Sequence, residues 1–185
     1  MRATIEVVAE QGLAESRISD IADRAGMSAG HVLYYFEGKD DLFLQALRTI
    51  ERDLRDDVLD RTRAMETAAE QFEYLLDVAA PTGPGDYRLL LWLEAWERAP
   101  RDEHVRRQVQ EIEDEWLALL GGIVQYGRDN GEFEVADVDA FVLRLSALMD
   151  GLTIQVVAGS PHIDRGAMID ICRDVARREL GWPSS

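Results

Sequence analysis

The chain has 185 residues, 46% of them hydrophobic and 30% charged, with a formal net charge of −16. This is the composition of a folded unit with one sizeable core, or of a small head on a larger body, and its single cysteine, Cys172, excludes an intrachain disulfide and a cysteine metal cluster. Wholly apolar stretches such as Leu89 to Leu93 run to a handful of residues, so neither a membrane span nor a secretory signal is expected, and the expected location is the cytoplasm.

No stretch sustains the alternation of a strand, and glycine and proline clusters punctuate long helix-favouring runs. The pattern predicts an all-α chain of about nine helices. The first covers about Met1 to Gln11 and stops at Gly12. The second spans Ser16 to Ala25 with Ser16 as N-cap, and the third Ala29 to Phe36 with Ser28 as cap. A long fourth helix begins near Lys39 and reaches about Arg63, with Leu42, Phe43, Ala46, Leu47 and Ile50 at helical spacing. The fifth occupies Glu66 to Ala80 and is closed by Pro81, after which Thr82-Gly-Pro-Gly85 reads as a loop. The sixth runs from near Asp86 to before Pro100. The seventh covers Asp102 to Arg128 and ends at Asn130-Gly131. Asp137 caps the eighth, which continues to Ala158, and the ninth spans Asp164 to Leu180, stopped by Gly181 and Pro183. The expected division is a head of residues 1–48 and a body of residues 49–185.

Charge alone gives no support for a nucleic-acid partner, because even the head carries −3 and the body −13. A motif has to supply it. The segment Ile18-Ser-Asp-Ile-Ala-Asp-Arg-Ala-Gly-Met-Ser-Ala-Gly-His-Val-Leu-Tyr-Tyr-Phe36 reads as two short helices joined by a tight turn, a helix-turn-helix. Gly26 can take positive φ at the reversal, and Ala22 is small enough for the helices to cross closely. Ile18, Ile21, Ala25, Val32 and Phe36 are expected to form the inner face. The N-terminal half of the second helix would then enter a major groove.

The run Asp20-Ile21-Ala22, Ala25-Gly26-Met27-Ser28, Gly30, Tyr34-Tyr35-Phe36, Lys39 and Leu42 resembles the DNA-binding domain of the TetR family, without a gap over about residues 1–48. In the body, Leu91-Trp-Leu-Glu-Ala-Trp96 and Met149-Asp-Gly-Leu152 are loosely similar to the betaine-responsive subgroup. The resemblance implies a homodimeric regulator, with double-stranded operator DNA and a small-molecule effector as partners, no cofactor and no membrane partner. Repression relieved by ligand is the expected direction.

On that resemblance the DNA-contact candidates are Arg17, Ser28, Ala29, Gly30, His31, Val32, Tyr34, Tyr35 and Lys39. Ser28 and Ala29 open the recognition helix, where free N–H groups favour phosphate, and Gly30 bares the backbone. His31 is the candidate for a base edge. Tyr34 and Tyr35 suit phosphate hydrogen bonds or thymine methyl contact. Lys39, the chain's only lysine, matches the family's phosphate clamp, with Arg17 a further phosphate ligand. Leu33 departs from the pattern, standing where the family commonly has tyrosine. The first helix is also short for the family, so the first half of that helix and a basic arm are expected upstream of Met1.

In the body, Phe72, Tyr74, Tyr87, Trp92, Trp96 and Trp116 either fill the core or line an apolar effector pocket, and the resemblance favours the pocket. Phe141, Leu145, Leu148, Met149, Leu152 and Val156 form an apolar stripe, joined by Ile169, Cys172, Val175 and Ala176. The stripe alone shows a buried face, and the resemblance makes it the dimer seam. Cys172 reads as a small buried hydrophobe, with a redox sensor as the other reading. His31, His104 and His162 are scattered, no metal-ligand spacing occurs, and the acidic run Glu111 to Glu115 spreads around a helix, so no enzyme chemistry is expected. The rival to operator binding is a ligand-binding or scaffold dimer that does not bind DNA.

Overall fold

A computed structural model describes residues 1–182; Pro183, expected to help end the last helix, lies outside them. Among the described residues the order is α1 (Arg2–Gln11), α2 (Ile18–Ala25), α3 (Ala29–Tyr35), α4 (Lys39–Thr62), α5 (Ala68–Ala79), α6 (Tyr87–Arg98), α7 (Glu103–Asp129), α8 (Val138–Val157) and α9 (Arg165–Glu179), with no strand. They form two compact units. One holds residues 1–54 and 87–112; the other holds residues 55–86 and the chain from Glu113 onward.

In the first unit Ile21, Ala22, Val32, Val7 and Leu42 make a small core, each at 4% exposure or less, with Ile18, Ala29 and Phe36 packed around it. Gly26 ends α2 at φ 67° and ψ 31°, the left-handed conformation that glycine adopts without strain. The Met27 N–H then donates back to the Ala22 carbonyl at 2.8 Å. Ser28 caps α3 by accepting from the His31 N–H at 3.2 Å. Two expectations fail here. Ser16 does not cap α2; it is buried and donates its hydroxyl to the Leu13 carbonyl, while Arg17 occupies the cap position and its N–H donates to the Asp20 carboxylate at 3.1 Å. Ala25 is exposed rather than on the inner face, because the helix ends at that residue and turns it to solvent.

The second unit centres on Phe72, with Phe133 edge-on at 6.4 Å, Trp182 edge-on at 5.7 Å and Phe141 at 6.4 Å. Such pairs add about 0.5–1.5 kcal/mol each beyond their buried area. Helix α5 starts at a capping box rather than at Glu66. Thr67 accepts from the Glu70 N–H at 3.1 Å and Glu70 accepts from the Thr67 N–H at 3.2 Å. Glu132 also takes the Ala68 and Ala69 N–H groups, at 3.0 and 3.2 Å. Gly127 is required by packing: a Cβ there would overlap the Phe133 ring and lie 2.8 Å from the Ala68 Cβ. Asp137 caps α8 as expected, and Asp164, read as the first residue of the ninth helix, caps α9.

The expectation that no segment approaches a membrane span is corrected by α8. An 18-residue window of this 20-residue helix reaches a mean hydropathy of 1.5, enough by length and composition alone. The helix is apolar on its core side (Phe141, Val142, Leu145, Leu152 and Val156 are buried) and also on much of its outer side, which lifts its hydropathy without a wholly apolar run.

Candidate functional site

The sequence Ala29-Gly-His-Val-Leu-Tyr-Tyr35 forms α3. Val32 is 4% exposed and belongs to the core of the head. At roughly 100° per residue, the side opposite Val32 carries Gly30 and Tyr34, flanked by Leu33 and His31. Tyr34 is 80% exposed, Tyr35 62% and Leu33 53%. The His31 ring lies 5.3 Å from Tyr35, and Tyr34 meets Tyr35 edge-on at 5.0 Å. At Gly30 an added Cβ would meet nothing within 4 Å, so the backbone is open to a close approach. A cluster of exposed aromatic and aliphatic side chains on one helix face marks a contact surface.

The cations around this face are mostly engaged. Lys39 turns its ammonium onto three backbone carbonyls, those of Leu13 at 2.5 Å, Ala14 at 3.0 Å and Ser16 at 3.0 Å. Its three N–H donors thus tie the α1–α2 connection to the start of α4. Arg24 is held by Glu10 at 2.7 Å and Glu6 at 3.4 Å, and Arg2 by Glu6 at 2.9 Å. The hydrogen bond from Arg24 is also the main cause that lowers the pKa of the Glu10 carboxyl. Arg48 pairs with Glu111 at 2.7 Å. Arg17, exposed at the start of α2, has no side-chain partner among the described residues.

The six pocket candidates divide between the two units. In the first, Trp92 is 5% exposed and stacks at a tilt on Trp96, centroids 5.4 Å apart, whereas Tyr87 is exposed. The Trp92 indole N–H donates to Glu51 Oε1 at 2.7 Å, and Arg88 Nη1 lies 3.6 Å from the same oxygen. Glu51 is 1% exposed. In the second unit Phe72 is sealed in the core, Trp116 packs against that core, and the Tyr74 hydroxyl donates to Asp57 at 3.3 Å. Glu51 is the polar member that reading the sequence overlooks. The signal is its register: Phe43, Leu47, Glu51, Leu54 and Val58 follow one helical face, and a carboxylate interrupts it.

Of the seam candidates, Phe141, Leu145, Leu152, Val156, Cys172 and Ala176 lie in the chain's own core, and Leu148, Met149, Ile169 and Val175 are partly buried. A different face of α8 is left bare, with Leu143 at 65% and Ile154 at 44% exposure and Ala147 and Gly151 between them. A groove of about 810 Å³, lined by Leu117, Gly121, Gln125, Val142 and Leu143 among others, adjoins it. Cys172 is 1% exposed and burial pushes its thiol up to about 11, which leaves no thiolate for redox sensing.

Residues 1–46 match the family model described as bacterial regulatory proteins, tetR family, and residues 68–181 match that of the BetI-type transcriptional repressor C-terminal region. The HTH-type transcriptional regulator BetI 1 of Chromohalobacter salexigens is 34% identical, over 100% of this chain and 90% of that protein. The chain belongs to the TetR family, with a BetI-type C-terminal region. The Escherichia coli (strain K12) regulator BetI is 28% identical over 96% of this chain and 90% of its own length. The crystal structure of a transcriptional regulator from Saccharomonospora viridis in complex with choline superposes with a TM-score of 0.86 at 28% identity, covering 97% of this chain and 96% of that one. As a TetR-family member the chain is a DNA-binding transcriptional regulator, and α2, Gly26 and α3 are its helix-turn-helix. The BetI-type match covers α5 to α9, where Leu143 and Ile154 stand bare.

Proposed function

We propose that this TetR-family protein is a homodimeric, cytoplasmic repressor that holds a palindromic operator through α3 and is released by a small cationic effector of the choline type. The observation that carries the reading is the outer face of α3, where Leu33, Tyr34 and Tyr35 stand exposed beside Gly30 on a helix braced by the Gly26 turn. A helix presented this way is read through its outer side chains in a major groove. Two copies would set their recognition helices about 34–36 Å apart, one turn of DNA, which requires a symmetric dimer. The bare α8 face supplies the surface for that dimer. Arg17, Ser28, Ala29, Gly30, His31, Tyr34 and Tyr35 are the DNA contacts in this reading.

The effector class rests on the tilted Trp92–Trp96 pair beside buried Glu51, together with the choline held by the Saccharomonospora viridis relative. Aromatic faces attract quaternary ammonium groups. Arg88 already balances the Glu51 charge, so the indole faces supply most of the attraction. Glu51 lies on α4, the helix that starts at Lys39 in the head, and effector binding there biases α4. By linkage, the effector weakens operator binding by the factor with which the operator weakens effector binding, typically about 1–3 kcal/mol.

The test is selection of bound duplexes from a random pool, followed by titration of choline against the selected complex. The expected result is a palindrome whose affinity falls about 5–150-fold with saturating choline. Trp96→Ala is expected to keep the palindrome and lose the choline response. A folded dimer that enriches nothing would instead establish a ligand-binding scaffold. Enrichment insensitive to choline would overturn the effector class alone.

A further inference from the structure

We propose that the α3 face reads the 5-methyl groups of thymine, with Leu33 as the side chain that selects them. This rests on the operator-binding reading above and adds to it the chemistry of the half-site. The argument begins with what α3 lacks. Ala29 to Tyr35 contain no arginine, lysine, asparagine or glutamine. Those are the side chains that grip guanine or adenine with paired hydrogen bonds in the major groove. What remains to form base hydrogen bonds is His31 and the tyrosine hydroxyls.

The same face carries an aliphatic side chain that nothing within the chain explains. Leu33 is 53% exposed, and Met27 at the turn before α3 is 39% exposed. Leucine on the outer face of a recognition helix has one apolar counterpart in a major groove. That counterpart is the thymine C5-methyl, a mark that no other unmodified base displays there. Tyr34, which follows Leu33 on that outer side, is 80% exposed and is held edge-on against Tyr35. The cations of the head support the same division of labour. Arg2, Arg24, Lys39 and Arg48 are engaged within the chain, so phosphate attraction supplies less of the affinity and close apolar fit supplies more.

Deoxyuridine tests this directly, because dU differs from dT only by the methyl. In the selected operator, each thymine of a half-site is replaced in turn by dU, in both half-sites symmetrically, and affinity is measured for the full-length protein and for Leu33→Ala and Leu33→Met. Losing one contacted methyl is worth about fourfold per half-site, so about 16-fold for the symmetric pair. The expected result is at least one position where dU weakens the parent by about that factor, where Leu33→Ala binds dT and dU alike, and where Leu33→Met retains the difference. Leu33 is exposed, so both variants are expected to fold, and circular dichroism checks this. If every dU operator binds within twofold of the dT operator, methyl reading is overturned while operator binding stands. If Leu33→Ala keeps the full dU penalty, Leu33 is not the selecting side chain. If no duplex is enriched at all, the operator-binding reading itself fails.

Discussion

The indole N–H of Trp92 on α6 donates to the buried carboxylate of Glu51 on α4 at 2.7 Å, with the Arg88 guanidinium 3.6 Å from the same oxygen. A carboxylate at 1% exposure is cut off from water, so these partners supply the polar contacts that burial removes. Trp92→Phe keeps an aromatic ring but removes the donor and part of the buried volume, and is expected to cost about 1–3 kcal/mol in urea denaturation. Glu51→Ala removes the buried carboxylate that both Trp92 and Arg88 approach and is expected to cost more, about 3–5 kcal/mol. In the double variant the two losses should fall short of their sum, since each removes the same bond. Strict additivity would show that the bond contributes nothing beyond packing.

Lys39 was expected to clamp a phosphate, yet its ammonium is occupied by the carbonyls of Leu13, Ala14 and Ser16. The two roles separate in a salt titration. Salt dependence steepens by about 0.9 in log–log slope for each phosphate neutralised. With Arg17 as the unpaired cation of each head, a dimer should show a slope near −2 in this term; if Lys39 also reaches phosphate, near −4. Lys39→Met is expected to leave the slope unchanged and to destabilise the head by about 1–3 kcal/mol, seen as faster amide exchange over residues 12–17. A slope that becomes shallower by about two in Lys39→Met would establish the phosphate clamp instead.

The helix-turn-helix was legible in the sequence because its turn, its α3 cap and most of its inner face answer to local rules. Gly26 marks the left-handed turn, Ser28 the cap, and Ile21, Val32 and Phe36 the inner face, all within one short segment. The helix order followed equally from caps and breakers. Long-range polar chemistry was not legible: Lys39 finds its carbonyls 23 to 26 residues away, and Glu51 finds Trp92 41 residues away. Nor could periodicity assign the faces of α8. A helix that is apolar on opposite sides has no single stripe, so six of the ten residues read as a seam between copies lie in the chain's own core, while Leu148, Met149, Ile169 and Val175 are partly buried.

Asp150 gives the protein a pH signature. It lies on the outer side of α8, still reached by solvent, but crowding by protein atoms and then the charge of Glu113 push its carboxyl up to about 6. The unfolded chain ionises this group near the ordinary carboxylate range, so between about pH 4 and 6 the folded protein binds the extra proton. The stabilisation is therefore full below about pH 4 and is lost as pH rises through about 6. Solvent screening keeps its amplitude below about 1 kcal/mol. Asp150→Asn should flatten that part of the stability profile, measured as the urea midpoint at half-unit steps from pH 4 to 7. An unchanged slope in the variant would remove Asp150 as its source.

The α8 face also makes the dimer testable without DNA. Leu143, Ala147, Gly151 and Ile154 recur at helical spacing and are exposed, with Leu143 and Ile154 at 65% and 44%. At Gly151 an added Cβ meets nothing within 4 Å inside the chain, so the site is open to a second helix. Ile154→Glu and Leu143→Glu each place a charge where a two-fold partner would bury it, and its copy would face it across the axis. Each is expected to shift the protein from dimer to monomer in sedimentation, weakening association by at least about 100-fold, while the helical content stays. By contrast, Leu145→Ala, at a side chain 1% exposed, should cost about 2–5 kcal/mol of folding stability. If the glutamate variants remain dimeric, the copies associate through another surface, and the spacing argument for the operator must be rebuilt on that one.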